Sequence, residues 1–150
     1  MALYYLETSA LVKLYVREPG TERLLRLASS VSGNRFAVLA LSQVEFRSAI
    51  RRRQRAGDID ATIADLILDR FQTHMESRFL RQTLTDSMLD SAFLMLDQYA
   101  LRAYDAIQLA ACLALQITFS GESPTFVCSD HDLLQAARSE QLPVIDPSVP

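Results

Sequence analysis

Short apolar runs alternating with segments of helical period constrain this chain more than any other feature. Residues 2–6 (ALYYL) are apolar without a break over one strand length, as expected of a strand buried on both faces. Residues 36–39 (FAVL), 125–129 (TFVCS) and 144–145 (VI) repeat that signal, and residues 78–84 (RFLRQTL) read as a short edge strand. From Ser9, the residues Leu11, Val12, Leu14, Tyr15 and Val16 suit a short helix stopped by Pro19–Gly20. Thr21 is placed to cap a helix over 22–30, which Ser32–Gly33–Asn34 closes. A helix over 42–56 has Gly57 as its stop. Asp58 then caps a longer helix with Ile59, Ile63, Leu66, Ile67 and Phe71 at three-four spacing. In a helix over 86–100, Leu89, Phe93, Leu96 and Ala100 face inward, opposite Asp86, Asp90 and Asp97. Residues 104–116 (YDAIQLAACLALQ) are apolar nearly all round, the mark of a buried helix, and 131–139 form the last helix. Strands alternating with helices require right-handed crossovers and a mostly parallel sheet covered on both faces. The expected fold is a three-layer α/β/α sandwich, with residues 1–150 as a single domain.

Composition narrows the function classes. A net charge of −3 excludes a protein that coats nucleic acid through a broad positive surface, though not a local basic patch or an acidic site filled by metal. Cys112 and Cys128 lie in apolar segments at no metal-binding spacing and read as core residues of a reducing compartment. Glu7 interrupts the N-terminal apolar run, which also lacks a basic start, so a signal peptide is not expected. The stretch 103–119 is broken by Asp105, Gln108 and Gln116, too soon for a membrane span. The cytoplasm is the expected location.

Four acids stand out by position. Glu7 follows the first strand, Glu45 lies in the first turn of the helix after the second, Asp105 begins the apolar helix, and Asp130 follows strand 125–129. Capping explains several of them singly. Ser42-x-x-Glu45 matches a capping box, and Asp105 and Asp130 are natural N-cap residues. Glu7 fits that role less well, since Thr8 or Ser9 is the better cap. Capping does not explain convergence. In an open parallel sheet the carboxyl ends of the strands share one edge, where ligands bind. Like charges gathered there disfavour joint ionisation unless a cation neutralises them. A hard divalent ion with oxygen ligands, Mg²⁺ or Mn²⁺, meets that need. Such an ion also suits phosphodiester hydrolysis, because it activates water and stabilises a leaving oxygen.

The stretches "YYLETSALVKLY", "LSQVEFRSAI", "LRAYDAIQLA" and "TFVCSDHDLLQAARSEQLPVIDP" together resemble the PIN domain family, and within it the VapC-type toxin ribonucleases of toxin–antitoxin pairs. The resemblance spans nearly the whole chain in the family's order, and "LRAYDAIQLA" is its most specific part. It implies a metal-dependent endoribonuclease acting on RNA, a homodimer, and a small antitoxin partner. It places the family's four acids on Glu7, Glu45, Asp105 and Asp130, as catalytic residues and metal ligands. The small hydroxyl after the first acid falls on Thr8 and Ser9. There are two departures: the first acid, usually Asp, is Glu7, and Cys128 stands where a hydroxyl is common.

Other polar residues have ordinary explanations. Asp132 forms D-x-D with Asp130 but suits a first-turn helix acid, His131 a solvated helix residue, and His74 has no partner at ligand spacing. Arg51, Arg52, Arg53 and Arg55 complement a helix C-terminus, and from Glu45 they reach RNA only at the cleft margin. A receiver domain needs an acidic pair after the first strand and a lysine near the last, whereas the only lysine is Lys13. No phosphate-cradling glycine motif involves Gly20, Gly33, Gly57 or Gly121. A phosphatase built on the D-x-D at 130–132 has almost no chain left to complete its site. The remaining alternative is a PIN fold kept for RNA or protein binding rather than cleavage.

Overall fold

The computed structural model describes residues 1–150. The elements in chain order are β1 (Leu3–Leu6), α1 (Thr8–Lys13), α2 (Thr21–Leu27), β2 (Arg35–Leu39), α3 (Ser42–Arg55) and α4 (Ala61–Ser77). They continue with β3 (Leu80–Gln82), α5 (Asp86–Gln98), α6 (Ala103–Thr118), β4 (Thr125–Val127), α7 (His131–Ser139) and β5 (Val144–Ile145). The five strands form one sheet in the order β3-β2-β1-β4-β5, parallel at every pairing. The sheet grows from β1 toward β2 and β3 on one side, and toward β4 and β5 on the other. The reversal opens a crevice beyond the carboxyl ends of β1 and β4, the usual place for a ligand in such a sheet.

Side chains alternate across the sheet as strand geometry requires. Tyr5, Ala37, Leu39 and Phe126 pack with α5, α6 and α7 in one core, which includes Leu109, Cys112 and Leu133. Leu6, Phe36, Val38 and Val127 pack with α1 to α4 in a second core around Phe46, Leu68 and Phe71. Both cysteines are buried and free, as expected. No helix is long and apolar enough to cross a membrane.

Several local expectations fail for reasons of packing. On α5 the buried residues are Met88, Ala92 and Met95, while Phe93 is 60% exposed and Leu96 also faces out. Met88, Ala92 and Met95 join the core that α6 fills, and the face carrying small Ala92 is buried in preference to the larger apolar stripe. On α4 the buried stripe is Ala64, Leu68, Phe71 and Met75, leaving Ile63 and Leu66 exposed. Asp60, not Asp58, caps α4 by accepting from the Ile63 amide. Thr21 does not cap α2; its buried hydroxyl accepts from the Glu18 amide and donates to the Val16 carbonyl. Gly20 precedes α2 instead, at φ +99°, where a Cβ would meet the Pro147 carbonyl oxygen at 2.5 Å. Gly57, at φ +84°, ends α3 as expected.

Candidate active site

The stretch Glu7–Thr8–Ser9 joins strand to helix at the floor of the crevice. The Glu7 amide still donates to the Val127 carbonyl, so the residue belongs to the sheet on its backbone side. Glu7 itself is the N-cap of α1, with extended backbone, and its Oε2 accepts from the Ser9 amide at 2.9 Å and the Ser9 hydroxyl at 2.5 Å. The expectation that Thr8 or Ser9 caps this helix is therefore corrected. Both hydroxyls are otherwise engaged: Ser9 Oγ accepts from the Ser129 amide, while Thr8 Oγ1 donates to Glu45 Oε2 at 3.2 Å. Glu7 is only 5% exposed. Burial pushes its carboxyl up to about 7, against the Ser9 bonds that favour the charge, and the Glu45 charge adds to the rise.

Glu45 lies in the first turn of α3, but the capping box is not formed. The N-cap of α3 is Leu41, without a side-chain bond, and Ser42 is buried, accepting from Gln108 Nε2 at 2.8 Å. Asp105 is the third residue of α6 rather than its cap, which is Arg102. Half-buried, Asp105 has its carboxyl raised by burial first, then by the Asp130 and Glu45 charges. Asp130 does cap α7, through the Leu133 amide at 2.9 Å, and it is exposed at the lip of the crevice. The four acids thus form an electrostatic chain, Glu7 to Glu45 to Asp105 to Asp130, graded from a closed floor to an open rim.

Beneath them runs a buried hydrogen-bond network that the sequence pattern did not show. Tyr5 Oη donates to Gln108 Oε1 at 2.5 Å, and Gln108 Nε2 reaches Ser42 Oγ and, at 3.4 Å, Thr8 Oγ1. Gln108 is fully buried. The network ties β1, α1, α3 and α6 together directly under Glu45, and a satisfied buried network of this kind rigidifies what it holds. Its one sequence signal was Gln108, a glutamine flanked by apolar residues within a nearly all-apolar helix. Asp132 and His131 are exposed on α7. His74 is remote from the acids, within hydrogen-bond distance of the Tyr15 hydroxyl at 2.7 Å.

As placed, no three Asp, Glu, His or Cys side chains stand close enough to form a ready metal cage. The donor set nevertheless fits a hard, hydrated cation. Its donors are all oxygens, the Glu45 charge adds to the rise at Glu7, the Asp130 and Glu45 charges add to the rise at Asp105, and the Tyr104 hydroxyl is buried beside Ser42, Glu45 and Gln108 without a hydrogen-bond partner. Mg²⁺ keeps several of its waters, so carboxylates held through water need not touch it together, and such waters can satisfy an orphaned hydroxyl.

A PIN domain profile matches residues 4–139. Among solved structures, the FitAcB structure from Neisseria gonorrhoeae superposes with a TM-score of 0.68 at 13% identity, covering 99% of this chain and 100% of that one. A toxin–antitoxin complex from Klebsiella pneumoniae gives 0.64 at 12% identity, covering 96% and 97% respectively. VapBC2 from Rickettsia felis, bound to a DNA fragment from its promoter, gives 0.63 at 14% identity, covering 95% and 97%. These likenesses show a shared fold. None of the curated proteins matches the chain in sequence at a significant level.

Proposed function

The chain belongs to the PIN domain family, and from that premise we propose that it is a Mg²⁺- or Mn²⁺-dependent endoribonuclease, the toxin of a toxin–antitoxin pair. The observation that supports this most is the all-oxygen chain of Glu7, Glu45, Asp105 and Asp130 at the carboxyl edge of the sheet, where burial and the neighbouring acids raise the Glu7 and Asp105 carboxyls. In this reading all four acids hold the cation. A bound cation supplies a lowered pKa for its water and charge stabilisation for the leaving oxygen of the phosphodiester. The protein supplies position. Ser9 orients the Glu7 carboxylate, and Thr8, itself held by Gln108, orients Glu45. The α7 cap fixes Asp130 at the rim, where RNA enters.

An acidic crevice also gives a partner protein a handle. An arginine from a small antitoxin can take the cation's place among the carboxylates, since its guanidinium matches carboxylate geometry. The Klebsiella structure is a toxin–antitoxin complex and the Rickettsia structure is VapBC2, which supports that partner for this chain. A homodimer in the cytoplasm completes the reading.

The test is purified protein with single-stranded and structured RNAs, with Mg²⁺ or Mn²⁺ and with chelator. Cleavage should need the metal and vanish in Asp105→Asn while the protein stays folded. Cleavage that survives both chelation and Asp105→Asn would refute the assignment. Co-expression with the product of a small neighbouring gene should relieve any growth arrest. A monomer by light scattering with no such relief would refute the assembly.

A further inference from the structure

A second cleft, of about 480 Å³, opens between α1 and the C-terminal half of α3. That volume is within the range of small-ligand sites. Its walls include Ser9, Lys13, Glu18, Arg52, Arg53 and Asp58. Lys13 is the only lysine among fifteen Lys and Arg residues, and it is 8% exposed. Its ammonium has one carboxylate within ion-pair distance, Glu18 Oε1 at 3.3 Å. That carboxylate is shared, because the Arg53 guanidinium donates to Glu18 Oε2. Asp146, outside those walls, is held in its charged form by the Ser148 amide and hydroxyl and adds a second negative charge that acts on Lys13, so the cation left without a carboxylate is Arg52. Arg52 and Asp58 make no ion pair at all. Three cations therefore line a cleft that offers them two carboxylates.

Ser9 belongs to both clefts. Its hydroxyl holds the Glu7 carboxylate, and it also lines this one. Lys13 lies one helical turn further along α1, about 6 Å on. That step is comparable to the separation of neighbouring phosphates in a single strand. We propose that this cleft is a phosphodiester subsite, which holds the RNA phosphate adjacent to the one at Glu7 through Lys13, Arg52 and Arg53. The inference rests on the ribonuclease reading and adds to it a substrate register. A phosphate there gives Arg52 the anionic partner it lacks, and Arg's planar fork suits phosphate oxygens. The Lys13–Glu18–Arg53 cluster also ties α1 to α3, but Arg52, exposed and unpaired, has no such structural duty. It is the residue that separates the two roles.

The experiment measures binding of a fluorescent 2′-O-methyl RNA oligonucleotide, which resists cleavage, by anisotropy in Mg²⁺ across a salt series. Arg52→Gln should weaken binding roughly tenfold and reduce the slope of log affinity against log salt by about 0.7, the share of one phosphate contact on a single strand. Arg70→Gln, an exposed and unpaired arginine on α4, should leave both unchanged and serves as the charge control. Unchanged affinity and slope in Arg52→Gln, or an equal loss in Arg70→Gln, would overturn the subsite. Cleavage of unmodified RNA by the wild type is followed in parallel. Cleavage that persists alongside a failed Arg52 effect refutes the subsite alone. An Arg52-dependent affinity without any cleavage by the wild type refutes the ribonuclease reading instead, and with it the register.

Discussion

Glu7→Gln should stabilise this protein in alkaline, metal-free buffer. The Glu7 carboxyl is pushed from 4.5 to about 7 by burial. A carboxyl that binds its proton more tightly when folded gives up that proton on unfolding, between the two values. Stability therefore falls as pH rises from about 4.5 to about 7; the loss is complete above that window and absent below it. The interval corresponds to about 3 kcal/mol. Glutamine keeps the shape, and its carbonyl can still accept from the Ser9 amide, but it has no charge to bury. In chelator at pH 8 the variant should be about 3 kcal/mol more stable than wild type, or roughly 6–12 °C in Tm for a chain of this length. At pH 4.5 the two should coincide. Asp105 is present in both proteins, so the difference between the curves reports Glu7 together with its coupling to Glu45. Adding Mg²⁺ at pH 8 should narrow the gap, because only wild type keeps all four acids for the cation. Parallel stability curves for the two proteins from pH 4.5 to 8 would refute the reasoning and leave Glu7 as a cap alone.

Two further outcomes follow from the same geometry. Gln108→Leu strands the Tyr5 and Ser42 hydroxyls in the core and frees Thr8, so urea denaturation should show a loss of about 1–3 kcal/mol, with slower cleavage through a misplaced Glu45. Glu7→Asp keeps the charge but shortens its reach by one methylene; since a hydrated cation tolerates that error, substantial cleavage should remain, with the relative rates in Mg²⁺ and Mn²⁺ altered.

The parts of this molecule written in local pattern were legible before its structure. Continuous apolar runs marked β1, β2, β4 and β5, and β3 appeared as the short edge strand expected near residue 80. The helix over 131–139, with Asp130 as its cap, matched at both ends. What escaped was decided between distant residues. The inward faces of α4 and α5 depended on how closely each helix could approach its neighbour, which the spacing of large apolar residues does not encode. Ser42-x-x-Glu45 is a sound capping box locally, yet Ser42 is claimed by Gln108, 66 residues away, and Glu45 by Thr8, 37 residues away. The order β3-β2-β1-β4-β5 likewise leaves no trace in periodicity, although it is what brings Glu7 beside the end of β4. The four candidate acids could be singled out because strand ends share an edge in a parallel sheet. The Gln108 network that reaches Glu45 through Thr8 could not, because its hydrogen bonds span up to 103 residues.

If the proposed function is right, Glu7, Glu45, Asp105 and Asp130 hold one or more cations in a single crevice. Anomalous scattering at the manganese edge, from crystals equilibrated with Mn²⁺, tests it most directly. A manganese peak should appear in the crevice between Glu7 and Asp130, within reach of Asp105 directly or through one water, with no peak there in Asp105→Asn. Manganese bound elsewhere on a protein that cleaves RNA, or a crevice peak unchanged in Asp105→Asn, would contradict it.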